Sequence, residues 1–337
     1  MIKNNLKILD ALEINYVDSC CREEFKLDTS GERRPGKGKG AGEKRLFIKG
    51  VKDPFPYDDF FQFNKVKYFF FKKSDLLNYM KEIKEEYLTP SQEYQNDISN
   101  YYLDNCNYVN SLKNEYVKLK FHRTHDSQNR YYLVLEGNKS QKNPNRIAYS
   151  YILNICLPRI TKINFVKLIN EDTNDLFIYI KPTYFAKLDK VDVINLTSVS
   201  PNNGNNKDKI RKAQTKYRYE LLQKMPACVV SGVADDRLLV ACHIKPYAKC
   251  NNLEEFDINN GVILTPTFHY MFDIGFISFK DNGELMVSDF LSNLNKTRLN
   301  IKNGQICPIN FKSTKYLDYH RKNIFCRVII DEKELID

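Results

Sequence analysis

Among its nine cysteines the chain has no C-x-x-C pair, and it has no G-x-x-x-x-G-K-[ST] loop and no visible internal repeat. It also has no apolar run approaching the roughly 18 residues of a membrane span. Each absence excludes something. Without C-x-x-C a four-cysteine structural zinc site lacks local support, and nine irregularly spaced thiols in 337 residues do not suggest a disulfide framework. They read as buried thiols of a reducing compartment. The missing phosphate loop argues against a P-loop nucleotide site. The segment MIKNNLKILDALEINYV lacks a continuous apolar core followed by a small-residue cleavage site. The chain is therefore expected in the cytoplasm, with no membrane partner.

What is present is positive charge on an ordinary globular composition. Lys and Arg number 52 against 42 acidic residues, for a net charge of +10, and 42% of the residues are hydrophobic. That balance suits a polyanionic partner, nucleic acid before an anionic membrane surface, although a Lys- and Asn-rich composition alone also produces it. The length predicts two domains.

The stretch 31–45, GERRPGKGKGAGEKR, is glycine-rich and basic. It is read either as an arm placing Arg33, Arg34, Lys37 and Lys39 on DNA phosphates or as a solvated linker. Beyond it, NKVKYFFF (64–71) predicts a strand, and Ser74 is placed as the cap of a helix carrying Leu76, Leu77, Met80 and Ile83. A second helical segment is expected around 91–113. YVKLKFH (116–122) and RYYLVLE (130–136) predict one hairpin, INFVKLI (163–169) and DLFIYIK (175–181) another. Between them RIAYSYILNI (146–155) reads as strand or short helix. The region is thus α+β with an antiparallel sheet. Lys118, Lys120, His122, Arg123, Arg130 and Tyr131 are its candidate DNA contacts, through a basic sheet face or an aromatic pocket for an extruded base. A solvated polar face explains the same alternation.

Residues 197–208, TSVSPNNGNNKD, read as an irregular connector, which divides the chain into domains at 1–200 and 209–337. A basic amphipathic helix follows at 210–225, with Ile210, Tyr217, Leu221 and Leu222 on one face and Pro226 at its end. ACVVSG and DDRLLVACHIKPY then predict a hairpin with His243 at the far end of its second strand. INNGVIL and TPTFHYMFDIG follow, the latter as a helix capped by Thr265 or Thr267 that sets His269 and Asp273 one turn apart on one face.

Phosphodiester hydrolysis requires a deprotonated water, neutralisation of phosphorane charge and a stabilised leaving oxygen. His243 is the candidate general base because imidazole titrates near neutral pH. Asn260 is expected to hydrogen-bond and orient that ring. His269 and Asp273 are the candidate ligands of one divalent cation, with positions left for phosphate and water. His320, in YLDYHRKNIF (316–325), is expected to pack the closing helix. Lys245 and Arg218 join the candidate DNA contacts.

ACHIKPY, DINNG and HYMFDIGFISF, in that order, resemble the HNH or ββα-metal nucleases, specifically their restriction-endonuclease branch. The likeness reaches upstream to AQTKYRYELL, similar to the Gln-x-x-x-Arg helix of these domains, and downstream to YLDYHRKNIF. It covers roughly residues 210–326. The resemblance implies His243 as base, Asn260 as the middle asparagine and His269 as a helix ligand. It matches Asp273 to a second ligand position. Cys242 stands where many relatives carry Asp or His as a further ligand; either it is a spectator or a metal softer than Mg²⁺ binds. Also implied are a Mg²⁺ cofactor (Mn²⁺ or another transition metal as alternatives) and products with 5′-phosphate and 3′-hydroxyl ends. Double-stranded DNA is the expected partner of a homodimer on a palindromic site, and any cognate methyltransferase would be linked only through function. Rival readings are a modification-dependent enzyme reading methylcytosine, a homing-type or nonspecific nuclease, and a DNA-binding protein with an inactive HNH module.

Overall fold

The computed structural model describes residues 5–15, 46–50, 56–91, 97–125, 130–137, 144–157, 160–184, 204–330 and 335. The chain divides into two compact units, Met1–Val191 with Ile329–Asp337, and Asp192–Val328. Ile329 and Leu335, at the far end of the chain, go with the first unit. Tyr68 donates its phenolic hydrogen to the carbonyl of Leu335, and the Lys72 ammonium donates to the carbonyl of Ile329.

The first unit runs β1 (Leu6–Asn15), β2 (Leu46–Gly50), α1 (Tyr57–Phe61), β3 (Val66–Lys72), α2 (Lys73–Glu82), α3 (Lys84–Leu88) and α4 (Ser99–Ser111). It continues with β4 (Tyr116–Leu119), β5 (Phe121–His125), β6 (Arg130–Leu135), α5 (Pro144–Ile155), β7 (Thr161–Asn170) and β8 (Leu176–Tyr184). One sheet has the order β1-β7-β8-β3-β4, antiparallel except for the β3–β8 pair. A smaller antiparallel sheet is ordered β2-β6-β5. The expected hairpin at 163–181 is β7–β8, turning where the Asn170 side chain accepts the amides of Asp172 and Thr173. The segment 116–122 splits at Lys120: β4 joins β3 in the large sheet, and β5 pairs with β6 in the small one.

The run Phe69-Phe70-Phe71 is apolar throughout because both faces of β3 are covered. Phe69 and Phe71 enter the core with the helices, Phe69 meeting Phe121 edge-on at 4.9 Å, whereas Phe70 stacks on Tyr179 at 5.4 Å. Ser74 does not cap α2. Its hydroxyl bonds the Glu115 carboxylate, and Lys72 is the N-cap residue. Residues 146–155 resolve as helix, since Ile152, Leu153 and Ile155 enter the core.

The second unit runs α6 (Gly204–Lys224), β9 (Val240–His243), β10 (Gly261–Leu264), α7 (Pro266–Asp273), β11 (Ile277–Phe279), β12 (Leu285–Val287), α8 (Asn293–Arg298) and α9 (Thr314–Asn323). Helix α6 starts inside the segment read as a connector. The expected pairing of ACVVSG with β9 does not form. Cys228–Gly232 folds into a tight turn, with Gly232 N–H on the Cys228 carbonyl and Gly232 at φ +73°. Five residues that reverse on themselves have no length to make a strand, so β9 pairs with β10, His243 opposite Gly261. Tyr217 and Leu221 of α6, Cys242, Val262–Leu264, Phe268 and Phe272 share one core with Tyr316 and Leu317 of α9. Gly275, at φ +76°, lets the chain after α9 approach: its carbonyl accepts the Cys326 amide, and a Cβ there would lie 2.1 Å from the Ile324 oxygen.

No described helix is long and apolar enough to cross a membrane.

Candidate active site

Strand alternation sorts the residues at the end of β9. Cys242 points into the core, 1% exposed, and His243 to the other side, where its ring is only partly buried. The His243 Nε2 lies 2.7 Å from the Glu255 carbonyl oxygen. A carbonyl only accepts, so Nε2 carries the proton and Nδ1 holds the lone pair. Burial pushes the imidazole below its ordinary value of 6.5, opposed by the Glu255 carbonyl and by the carboxylates of Glu255 and Asp273. The ring is thus neutral at neutral pH, with one basic nitrogen.

Tyr217 of α6 lies flat against that ring, centroids 4.9 Å apart and planes 6° from parallel. Tyr247 meets it edge-on at 5.5 Å. These neighbours, and the role of Glu255, were not legible in the sequence. Tyr217 was visible as an apolar-face position of the helix, but not as a partner of His243.

Asn260 is 0% exposed. It does not hydrogen-bond the His243 ring as expected. Its Oδ1 accepts the Lys245 amide at 2.8 Å, and its Nδ2 faces the carbonyls of Lys245 and Glu254 and the Cys250 sulfur at 3.2–3.3 Å. The reason is the loop between β9 and β10, which folds back over the amide and presents main-chain groups nearer than the imidazole. Asn260 therefore ties both ends of the loop whose Glu255 carbonyl contacts the His243 ring. Asp257 adds a second tie: its carboxylate accepts the Asn259 amide and the Tyr316 hydroxyl of α9. Gly261 follows for steric reasons. Its φ of −125° suits any residue, but a Cβ would come within 2.4 Å of the Tyr217 hydroxyl and 2.8 Å of Leu221.

Helix α7 begins with Thr265 at the N-cap, making no side-chain cap bond, and Pro266 in its first turn. His269 Nε2 and Asp273 Oδ2 sit 3.0 Å apart one turn along the helix, both partly exposed. The Asp273 carboxylate also acts through space on His243 and on Cys242. One imidazole and one carboxylate are a donor set of nitrogen and oxygen that fits a divalent cation, with further positions open to phosphate and water. No group of three or more His, Cys, Asp or Glu that could hold a metal occurs among the described residues. Cys242 does not join the pair: burial pushes its thiol well above the ordinary range, and its sulfur contacts the Val240 carbonyl at 3.5 Å. It is a core residue.

The candidate DNA contacts fare unevenly. The Lys245 ammonium is 2.6 Å from Glu254 and lies over the Tyr319 ring, inside the loop. The Arg218 guanidinium donates to the Asp236 and Leu239 carbonyls. Lys118 sits over the Tyr68 ring at 5.2 Å, and Arg123 pairs with Asp58. Lys120 is exposed where the chain changes sheets, and the main chain of Arg130 pairs with Gly50. Arg33, Arg34, Lys37 and Lys39 lie outside the described residues. His320 packs the closing helix as expected: its Nδ1 bonds the Ser278 hydroxyl, its Nε2 the Phe272 carbonyl, and it stacks on the Phe272 ring at 3.8 Å.

Two antiparallel strands and a helix carry His243, Asn260 and the His269–Asp273 pair, the order of elements of a ββα unit. Residues 228–280 match the HNH endonuclease family HNH_2, and the chain carries an HNH-family domain in its C-terminal region. HNH nucleases generally use divalent metal ions. No curated protein matches the chain.

Proposed function

We propose that the protein is a metal-dependent DNA endonuclease of restriction type, cutting with the HNH unit and reading its target with the α+β unit. The observation that carries this is the neutral His243 ring, protonated at Nε2 by the Glu255 contact, with Nδ1 left as its basic nitrogen. Nδ1 takes the proton from the attacking water. Asn260 and Asp257 keep the Glu255 carbonyl in place, so the ring does not turn as charge develops on it. His269 and Asp273 would hold the divalent cation, Mg²⁺ or Mn²⁺. Bound there, it supplies charge neutralisation at the phosphorane and at the leaving 3′ oxygen. The products carry 5′-phosphate and 3′-hydroxyl ends. One such site per chain makes a homodimer on a palindromic target the simplest route to double-strand cleavage.

The test is digestion of defined methylated and unmethylated duplex DNA with Mg²⁺ or Mn²⁺, followed by sequencing of the ends. Cleavage at a short defined site supports the reading, and cleavage confined to methylated DNA redirects it to a modification-dependent enzyme. If wild-type protein cuts no DNA of either state, the reading fails.

A further inference from the structure

We propose that Tyr217 is a positioning residue for the His243 base. This rests on the nuclease reading above. The hydrogen bond from Nε2 to Glu255 fixes one atom of the imidazole but leaves the ring free to rock about that bond. A flat neighbour removes that freedom. Tyr217 supplies it, parallel to within 6° at 4.9 Å, while Tyr247 closes the edge and Phe256 backs both tyrosines at 6.5 and 6.4 Å. With face, edge and Nε2 occupied, Nδ1 is directed one way only.

Two further features belong to this contact. The residue opposite His243 across the β9–β10 pair is Gly261, and any side chain there would strike the Tyr217 hydroxyl at 2.4 Å. The tyrosine reaches the imidazole because that position is bare. The Tyr217 hydroxyl is buried without a hydrogen-bond partner among the described residues. The site therefore uses the ring and not the hydroxyl, which separates this role from that of a proton donor or a phosphate contact. It also dictates the substitution pattern: phenylalanine suffices, and an aliphatic side chain of similar bulk does not.

The experiment compares wild type, Tyr217→Phe and Tyr217→Leu on duplex DNA with Mg²⁺. Tyr217→Phe keeps kcat within about twofold, whereas Tyr217→Leu loses roughly tenfold or more in kcat with KM within about twofold, as expected when a base is misaligned and binding is not. A Tyr217→Leu enzyme with undiminished kcat overturns the proposal, as does a Tyr217→Phe enzyme that falls as far as the leucine variant. A second measurement needs neither metal nor DNA. The chain has five histidines, so the His243 imidazole can be assigned by NMR. Its ring protons are displaced upfield by the stacked aromatic in wild type and Tyr217→Phe, and return toward ordinary positions in Tyr217→Leu. Identical His243 signals in all three proteins sink the proposal whether or not DNA is cut. Displaced signals in a wild-type protein that cuts nothing would instead refute the nuclease reading and leave the stacking intact.

Discussion

His243 and Glu255, twelve residues apart, are joined by a contact of 2.7 Å between an imidazole nitrogen and a main-chain oxygen. That contact decides the tautomer, and the tautomer decides which nitrogen is left with a free lone pair. Replacing His243 with Ala should lower the cleavage rate by about 10²–10⁴-fold, the usual contribution of a general base, while duplex binding stays intact. Cleavage rates and fluorescence anisotropy on the same labelled duplex measure the two. Because burial depresses the imidazole, its basic form persists below pH 6.5. The acid limb of the rate profile should therefore lie on the acid side of an ordinary histidine, with activity flat from there through neutrality. A limb at or above the ordinary value would exclude His243 as the base.

Asn260 to Ala should fail in two ways at once. The half-buried Lys245 amide and Glu254 carbonyl lose their partner, and a fully buried group left unsatisfied costs about 1–3 kcal/mol, the upper bound for each here. The thermal midpoint falls accordingly. The residual activity of the folded fraction should fall further than stability explains, because the Glu255 carbonyl is no longer held. If folded Asn260→Ala protein cleaves at the wild-type rate, the loop does not position the base.

Lys245 and Arg218 should contribute little to phosphate binding, since both commit their charge to the protein itself. The Lys245–Glu254 pair and the Arg218 bonds to two carbonyls leave neither group directed at a ligand. Removing a cation that neutralises one DNA phosphate lowers the slope of log affinity against log salt by about 0.9. Lys245→Ala and Arg218→Ala should therefore keep the wild-type salt slope while losing thermal stability. A slope reduced by a full unit in either variant would place that side chain on DNA.

His320 makes stability depend on pH. Burial lowers it from 6.5 to about 4, with the Phe272 carbonyl and Asp273 opposing and Arg321 assisting. In the unfolded chain the ring titrates near its ordinary value, so between about 6.5 and 4 the unfolded state binds the extra proton. Stability is full above that window, falls as pH drops through it and levels below it. The span corresponds to about 3 kcal/mol. Urea titrations at pH 7 and pH 4.5 should show the loss in wild type and a smaller one in His320→Gln, itself less stable at pH 7.

The sequence by itself determined those features that live within one element or in the order of elements. The β7–β8 hairpin, the α6 helix and the one-turn spacing of His269 and Asp273 follow from local periodicity and from the turn residues between runs. The order of histidine, Asn-Gly and His-x-x-x-Asp was likewise readable, and residues 228–280 match the HNH family accordingly. Tertiary structure decided what depends on main-chain atoms and on contacts between distant segments, neither of which leaves a side-chain signature. It moved the Asn260 amide from the imidazole to the loop, put Cys242 in the core, and paired β9 with β10 instead of the turn at Cys228–Gly232. It turned Lys245 and Arg218 toward internal partners although their charge reads as a surface signal. Above all it laid Tyr217 on His243. A helix position spaced for burial specifies only that a side chain is covered; which ring covers it is settled when α6 meets the bare Gly261 across from His243.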